Sequence, residues 1–344
     1  MSSTTQLTTF LDLYTDLQNR VRVATGQTTT QTQAQRYINI ALQDIALGFD
    51  YKMPWLERHA FIQARGPYTT GTITISQGST SLVGASTLWN TADAFGVKNA
   101  LDTGKLTIAG GLEVYEVAYA GVTSDTAITL KSPYTVSGGQ AAASYIYFDD
   151  EYALASDFLR PIDYQIFAPA LNINLIGRNE FRNRYPRRNI QGRPRVCCII
   201  DDAFRGNTTP VRRVVFYPYP DTWYTIPYAY ISSNLAVTST GTEQAQLVND
   251  TDEPKMPLRY RHCIVFHALN HWYRDKKDDA RADAAKAEYT DIMLRIAADQ
   301  EIGAPTHARL QPRTGAYTGV ARHPYLRRGG RTVSINNTFD RFES

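Results

Sequence analysis

Two histidines one helical turn apart have a spacing that suits metal chemistry. His267 and His271 stand at positions i and i+4, so one face of a helix presents both imidazoles, and such a pair can bind zinc. The metalloprotease form of this motif needs a glutamate directly after the first histidine as general base, and Ala268 stands there instead. The sequence therefore predicts hydrogen-bonded histidines on a partly buried helix face, with no metal and no cofactor.

Two adjacent acids, Asp201 and Asp202, form a second candidate, because paired carboxylates can bind metal or transfer protons. Adjacent acids at the end of a strand are more often a solvated turn, and we expect one here. The sequence contains no P-loop, no Gly-x-Ser-x-Gly motif and no dinucleotide-binding fingerprint. We therefore predict a protein that is not an enzyme, with no catalytic residues.

Three cysteines are too few for a disulfide framework. Cys197 and Cys198 are adjacent in an apolar run, so their side chains are expected on opposite faces of one strand. We interpret both as small hydrophobic core residues.

A dense cluster of arginines is the strongest charge feature. Glu180 is the one acid in this segment, and Phe181 and Tyr185 lie among the basic residues. Three interpretations stay open: contact with phosphates, pairing with carboxylates across a protein interface, or a solvated face. The arginines are Arg178, Arg182, Arg184, Arg187, Arg188, Arg193 and Arg195.

The composition of the whole chain limits the function classes. The 344 residues carry a formal net charge of only +3, which argues against a general electrostatic binder of nucleic acid. The 22 tyrosines offer rigid amphipathic contact area, as large protein interfaces do. The beginning of the chain has no basic region followed by an apolar stretch, and no run of 18 apolar residues occurs. We expect a protein made in a cytoplasm, with no membrane contact.

Short alternating runs between residues 59 and 150 predict a β-module, which we expect to be a small barrel or sandwich. Gly, Ser, Asn and Asp separate these runs, as in hairpins. The predicted strands are Gly71–Ser76, Ser81–Val83, Lys105–Ile108, Leu112–Val117, Ala127–Leu130 and Tyr145–Tyr147.

Helical periodicity flanks the β-module on both sides. Residues 1–58 are predicted to contain helices over 6–23 and over Thr32–Phe49, the second with a threonine N-cap. Residues 151–302 are predicted to return to helix over Glu151–Phe158, with Ser156 or Asp157 as cap, and over 168–185. Three strands follow, Val196–Ile200, Val211–Tyr217 and Trp223–Ile231, and then two helices within 255–302, with Asp278 as cap of the second.

The sequence thus predicts an α+β fold, in which a helical bundle frame carries an inserted β-module and a second short β region. Residues 303–344 lack periodicity and contain seven arginines against two acids. We expect this basic C-terminal arm to become ordered on a partner.

Several of these segments resemble the head-to-tail adaptor (connector) proteins of tailed bacteriophages, including the P22-like tail accessory factors. The opening helix and Arg36–Ile45 resemble the start of such proteins, and the β-module resembles an insertion seen in phage connectors. Met256–Tyr260, Ala268–Lys276 and Ala284–Arg295 resemble the last helical pair of the family.

The resemblance implies a structural virion protein at the head–tail interface. Such adaptors form a ring beneath the portal, commonly a dodecamer, which extends the DNA channel and offers a docking platform to tail or nozzle proteins. Contact with genomic DNA in the lumen is then transient. Other interpretations are a tail hub or tube protein, or less favourably a cell-wall hydrolase or a DNA-binding module.

The resemblance also implies that the C-terminal arm docks on the portal. Aromatic and apolar residues would anchor it, and arginines would pair with portal charges. These residues are Tyr317, Tyr325, Leu326, Arg327, Arg328, Arg331 and Phe339.

Overall fold

The computed structural model describes residues 6–22, 28–48, 53–162, 172–202 and 211–302, together with 327–328 and 331–332. The helices in this part of the chain are α1 (Phe10–Val21), α2 (Thr28–Leu47), α3 (Arg178–Arg184), α4 (His262–Asp275) and α5 (Asp279–Ile302). The strands are β1 (Glu57–Ala64), β2 (Thr72–Ile75), β3 (Ser81–Ala85), β4 (Lys105–Ile108), β5 (Tyr115–Ser124), β6 (Ala127–Leu130), β7 (Gln140–Ala143), β8 (Tyr145–Phe148), β9 (Glu151–Ala153), β10 (Phe158–Pro161), β11 (Asn174–Leu175), β12 (Val196–Asp202), β13 (Val211–Tyr217), β14 (Tyr224–Ser232), β15 (Ala236–Val237), β16 (Glu243–Gln244), β17 (Glu253–Pro254), β18 (Arg327–Arg328) and β19 (Arg331–Thr332).

The chain divides into two compact units. One comprises the chain up to Asp12 together with Met53–Pro257, and it contains most of the strands. The other comprises Leu13–Lys52 and the chain from Leu258 onward, with α2, α4 and α5. The fold is therefore mixed α and β, and sheets rather than a helical bundle make up the larger unit.

Seven antiparallel strands form a curled sheet, which we call the half-barrel. Its strand order is β7-β2-β3-β6-β5-β4-β8. The edge strands β7 and β8 are separated in the chain by Ser144 alone, so the two edges of the sheet must meet there. The enclosed core contains Leu82, Leu106 and Trp89, whose indole Nε1 donates a hydrogen bond of 2.9 Å to the Tyr145 hydroxyl.

Two further sheets share a second core in the same unit. The strand order is β1-β14-β10 in one and β11-β12-β13-β9 in the other. Ile62 and Ile226 from the first sheet meet Cys197 and Phe216 from the second. Cys198 lies on the opposite face of β12, so the prediction that the two cysteines point apart is confirmed.

A small sheet, β16-β15-β17, completes the sheet-rich unit, and the start of α1 is attached beside it. The Phe10 amide donates a hydrogen bond of 2.8 Å to the Asp252 carbonyl oxygen. Thr9 and Asp12 form a reciprocal cap at the start of α1, because each side chain accepts a hydrogen bond from the backbone amide of the other. The helix therefore begins at Phe10 rather than at residue 6.

In the other unit, α4 contacts both α2 and α5. The stripe predicted for α2 is buried: Ala34, Ile38, Ala41, Leu42, Ile45 and Ala46. The helix begins at Thr28 and not at Thr32, so all four threonines predicted as its N-cap, Thr28, Thr29, Thr30 and Thr32, belong to the helix itself. Asp278 caps α5 as predicted, since its Oδ1 accepts a hydrogen bond of 3.2 Å from the Arg281 amide.

The prediction of a helix over Glu151–Phe158 is wrong. Residues of β9 pair with β13, and β10 pairs with β14, so this segment belongs to the sheets. Asp157 does not cap a helix; its carboxylate accepts hydrogen bonds from the Tyr230 and Ser232 hydroxyls. The alanines and the leucine of Glu151–Phe158 favour a helix locally, but pairing with neighbouring strands overrides that preference.

The helix predicted over 168–185 is shorter than expected. Residues 168–171 lie outside the described residues, and β11 occupies Asn174–Leu175. Within the described residues 172–185, Arg178–Arg184 is helical, and this helix ends before Pro186 as the proline predicts. The predicted strands of the β-module and of residues 196–232 are present, although β5 runs from Tyr115 to Ser124 instead of Leu112 to Val117, and β7 was not predicted.

We predict that the two faces of β3 differ strongly in their contribution to stability. Leu82 is fully buried in the half-barrel core, whereas its neighbour Val83 is 55% exposed. Leu82→Ala should lower the free energy of unfolding by about 3 kcal/mol, because it leaves a cavity. Val83→Ala, the matched control, should change it by less than about 1 kcal/mol. Equal losses in urea unfolding of the two variants would contradict the assigned register.

Candidate functional site

The arginine cluster lies on α3 and on the chain that follows it. Phe181 is the buried residue of α3, and it packs on Cys198 and Val215 of the sheet beneath. Tyr185 stacks on Tyr217 with ring centroids 4.3 Å apart. A short helix attached by one aromatic residue leaves its other faces to solvent, and this places the arginines on the surface.

Six of the seven arginines are exposed. Arg184 is paired with Glu180 one turn earlier at 3.1 Å, and both side chains are largely solvated, so this pair contributes little to stability. The exposed arginines are Arg178, Arg182, Arg184, Arg187, Arg193 and Arg195. Within one chain, this surface is therefore rich in guanidinium groups that face outward.

Arg188 is the exception. Its Nε lies 2.6 Å from Asp150 Oδ2, and its Nη2 lies 3.2 Å from Glu151 Oε1. Lys105 reaches the same two acids, with Nζ 2.6 Å from Asp150 Oδ1 and 2.8 Å from Glu151 Oε1. All three of Lys105, Asp150 and Glu151 are buried. Arg188 thus binds carboxylates of its own chain.

Arg65 adds a third cation and a further ion pair to this arrangement. Arg65 Nε donates to Asp149 Oδ2 at 2.8 Å, and the Tyr147 hydroxyl donates to Asp149 Oδ1 at 2.9 Å. Three consecutive acids therefore meet three cations from distant parts of the chain. We call this set the buried ion cluster; it comprises Asp149, Asp150, Glu151, Arg65, Lys105 and Arg188.

The electrostatics of the buried ion cluster favour the charged forms of Asp150 and Lys105. Burial acts to raise the pKa of Asp150, but the Lys105 ammonium and the Arg188 guanidinium outweigh it and hold that pKa below its ordinary value. Burial acts to lower the pKa of Lys105, and Asp150 and Glu151 reverse this and raise it. Carboxylates neutralised in this way hold structure together and are poorly suited to proton transfer.

The buried ion cluster is not evident from the sequence. Asp149–Glu151 is a short acidic run after the predicted strand Tyr145–Tyr147, and its last residue was assigned to the start of a helix. Arg65 and Lys105 are separated from it by 84 and 45 positions, and no local pattern connects them. The arginine cluster was recognised, but nothing in its spacing set Arg188 apart from Arg187.

A cleft of about 390 Å³ opens beside the buried ion cluster. Pro186, Arg187 and Arg188 line one part of it, and Leu112 and Val114 line another. The exposed Arg187 and the apolar wall together suit a partner segment with an acidic and an apolar side chain.

The predicted histidine pair lies on α4 and is hydrogen-bonded, as expected. His267 Nε2 and His271 Nε2 lie 3.2 Å and 2.9 Å from the same oxygen, Oδ2 of Asp44 on α2. Both imidazoles are partly buried. Asp44 was not recognised in the sequence as their partner.

The other predicted sites are described only in part. Asp201 and Asp202 belong to β12, in register with Arg212 and Val211, and not to a turn; their side chains lie outside the described residues. Of the predicted portal anchors, Tyr317, Tyr325, Leu326 and Phe339 also lie outside them.

The backbone of the basic arm is described at one place. Arg327, Arg328 and Arg331 belong to a two-stranded antiparallel pair, β18–β19. Their contact with the portal stays a prediction.

Among the described residues, the helices are too short or too polar to cross a bilayer.

The comparison with protein families is decisive. The family model described as SU10 adaptor protein matches residues 118–312, more than half of the chain. The chain belongs to the SU10 adaptor protein family. The matched stretch includes the arginine cluster, α4 and α5. A search of curated proteins finds no match.

Membership of the SU10 adaptor family confirms the coarser part of the predicted function. The protein is a phage adaptor, a structural component of the virion, and the family implies interaction with the portal and the tail. Proteins of this family are generally not enzymes.

We predict that the buried ion cluster is required for stability. Asp150→Asn removes the carboxylate that bridges Lys105 and Arg188, and it should lower the free energy of unfolding by about 3–5 kcal/mol. Glu180→Gln, the control, breaks only the solvated pair with Arg184 and should cost about 0.5 kcal/mol or less. Urea unfolding of both variants checks this. If Asp150→Asn is as stable as Glu180→Gln, the cluster has no such role.

Proposed function

We propose that this SU10-family adaptor assembles as a closed ring beneath the portal, most simply a dodecamer. Such a ring extends the DNA channel and offers a docking platform to tail or nozzle proteins. Family membership over residues 118–312 is the observation that supports this proposal. The same proposal includes a resemblance of this chain to the P22-like tail accessory factors.

In this proposal, the helices make up the wall of the ring. Residues Ala282, Ala285, Met293 and Ile296 of α5 are buried in their own unit, whereas Leu294 is 57% exposed. One side of α5 is thus used within the chain, and the opposite side is free to meet a neighbouring copy. Head-to-tail contact between identical copies closes into a ring when the rotation between them is a simple fraction of a turn.

The exposed arginines suit contacts between proteins better than tight contact with DNA. Each phosphate that a lysine or arginine neutralises adds to affinity, so a lumen densely lined with arginine would hold DNA and slow its passage. Guanidinium groups also bind carboxylates in a two-pronged geometry that fixes orientation. We propose that most of these arginines meet carboxylates of a neighbouring copy or of the portal, and that a minority face the lumen.

Charge reversal on the arginine surface tests this assignment. Arg182→Glu combined with Arg187→Glu should abolish assembly on the portal, because both residues are exposed and neither belongs to the buried ion cluster. Lys131→Glu, on a solvated lysine of the half-barrel, is the control and should assemble normally. Negative-stain electron microscopy of portal mixtures provides the measurement.

The affinity of the isolated protein for duplex DNA shows whether the exposed arginines bind DNA. We expect a Kd of roughly 10⁻⁴ to 10⁻⁶ M at physiological salt, the non-specific range. Nanomolar binding that is lost in the Arg182→Glu, Arg187→Glu variant would instead establish a DNA-binding role. Arg188 is left unchanged, because its substitution would disturb the buried ion cluster and confuse folding with binding.

The C-terminal arm is proposed to dock on the portal. A disordered or weakly structured segment that folds on a partner can cover a large surface and lock an assembly. The last described helix ends at Ile302, so a deletion of residues 303–344 removes the arm and leaves α5 complete. The deletion variant should melt at the same temperature as the full chain and should lose attachment to the portal.

Cosedimentation with the portal, followed by electron microscopy, measures this effect. A control in which a Gly/Ser linker of equal length replaces residues 303–344 should also fail, which would show that sequence and not length is required. Undiminished attachment of either variant would place the docking surface elsewhere. Tubes or sixfold rings formed without portal would favour a tail tube or hub protein and would overturn the adaptor ring.

A further inference from the structure

Three metal-ligating side chains converge between α2 and α4. His267 and His271, one turn apart on α4, direct their Nε2 atoms at the same oxygen of Asp44 on α2. The three potential ligand atoms all lie within 4.8 Å of one another. This convergence comes from two helices of one compact unit, and it is independent of the arginine surface and of the arm.

Aromatic rings hold both imidazoles in place. The Tyr289 ring of α5 stacks on His267, with centroids 4.3 Å apart and planes inclined by 27°. The Tyr37 ring lies parallel to His271 at 6.5 Å. Side chains fixed in this way lose little freedom when they bind an ion, which favours binding.

The exposure of the ligands also suits a metal. His267 Nδ1 is buried and has no hydrogen-bond partner in the described part of the chain, so Nε2 is its interacting nitrogen. Asp44 is 43% exposed, which leaves a route for an ion and for a water ligand.

We propose that Asp44, His267 and His271 bind one zinc ion, with water as the fourth ligand. Two imidazoles and a carboxylate form a ligand set that zinc accepts, and with bonds of 2.0–2.1 Å neighbouring ligand atoms in a tetrahedral site lie about 3.3 Å apart. The separations of 2.9 Å and 3.2 Å from Asp44 Oδ2 are close to this value, and the three ligand atoms lie within 4.8 Å of one another, so side-chain rotations that bring the two imidazole nitrogens to this spacing admit the ion. Ala268 stands where the metalloprotease motif has its general base, so that chemistry is not indicated, and the ion would join α2 to α4.

Zinc titration of the full-length protein tests the proposal. After treatment with EDTA and dialysis, calorimetry with zinc chloride at pH 7.5 should show one site per chain and a higher melting temperature. His271→Gln and Asp44→Asn should bind zinc at least tenfold more weakly. His262→Gln, an exposed histidine on the same helix, is the matched control and should bind like the unmodified protein.

A second measurement needs no variant at the site and remains decisive if a variant fails to fold. In ¹H–¹⁵N NMR spectra of the histidine side chains, zinc should shift the His267 and His271 resonances and leave that of His262 unchanged. Absence of zinc binding by the unmodified protein, or binding that leaves these two resonances in place, would overturn the proposal. Equal affinity of folded His271→Gln and the unmodified protein would overturn it as well.

Discussion

The burial of three consecutive carboxylates is the constraint on which the sheet-rich unit depends. Asp149, Asp150 and Glu151 connect the last strand of the half-barrel to β9 of the neighbouring sheet, and all three are removed from water. A buried charge without a partner costs several kcal/mol, so cations must reach this point if the unit is to fold. Arg65 comes from the end of β1 and Lys105 from β4, and these two ion pairs fix the first core relative to the strands that follow it.

The buried acids also give Arg188 a role that differs from that of the six exposed arginines in the arginine cluster. Arg188 is held by Asp150 and Glu151, and its guanidinium also lies 5.7 Å from the Phe181 ring, so the chain after α3 is fixed at the half-barrel. With that one residue anchored, the exposed arginines on either side project from a rigid support rather than from a free loop. A rigid array of guanidinium groups loses little entropy on binding, which suits contact with the carboxylates of another protein.

The sequence predicts those elements whose pattern is decided locally. Alternation identifies most strands of the half-barrel, because each strand has one face in its core, and helical spacing identifies α2, α4 and α5. Local pattern fails over residues 151–161, where alanine and leucine favour helix but pairing with β13 and β14 decides the outcome. It fails likewise for the candidate sites. The histidine spacing was visible, but Asp44 lies 223 positions before His267, and only the folded chain brings them together.

The family match covers only part of the half-barrel. The match begins at residue 118, inside β5, which forms hydrogen bonds to β6 on one side and to β4 on the other. It contains Asp150, Glu151 and Arg188, whereas Lys105, which neutralises the same two acids, precedes it. A chain cut at residue 118 would therefore expose the edge of the half-barrel and leave two buried carboxylates short of a cation. The family match recognises part of a cooperative unit, and the residues before it are needed to complete both the sheet and the charge balance.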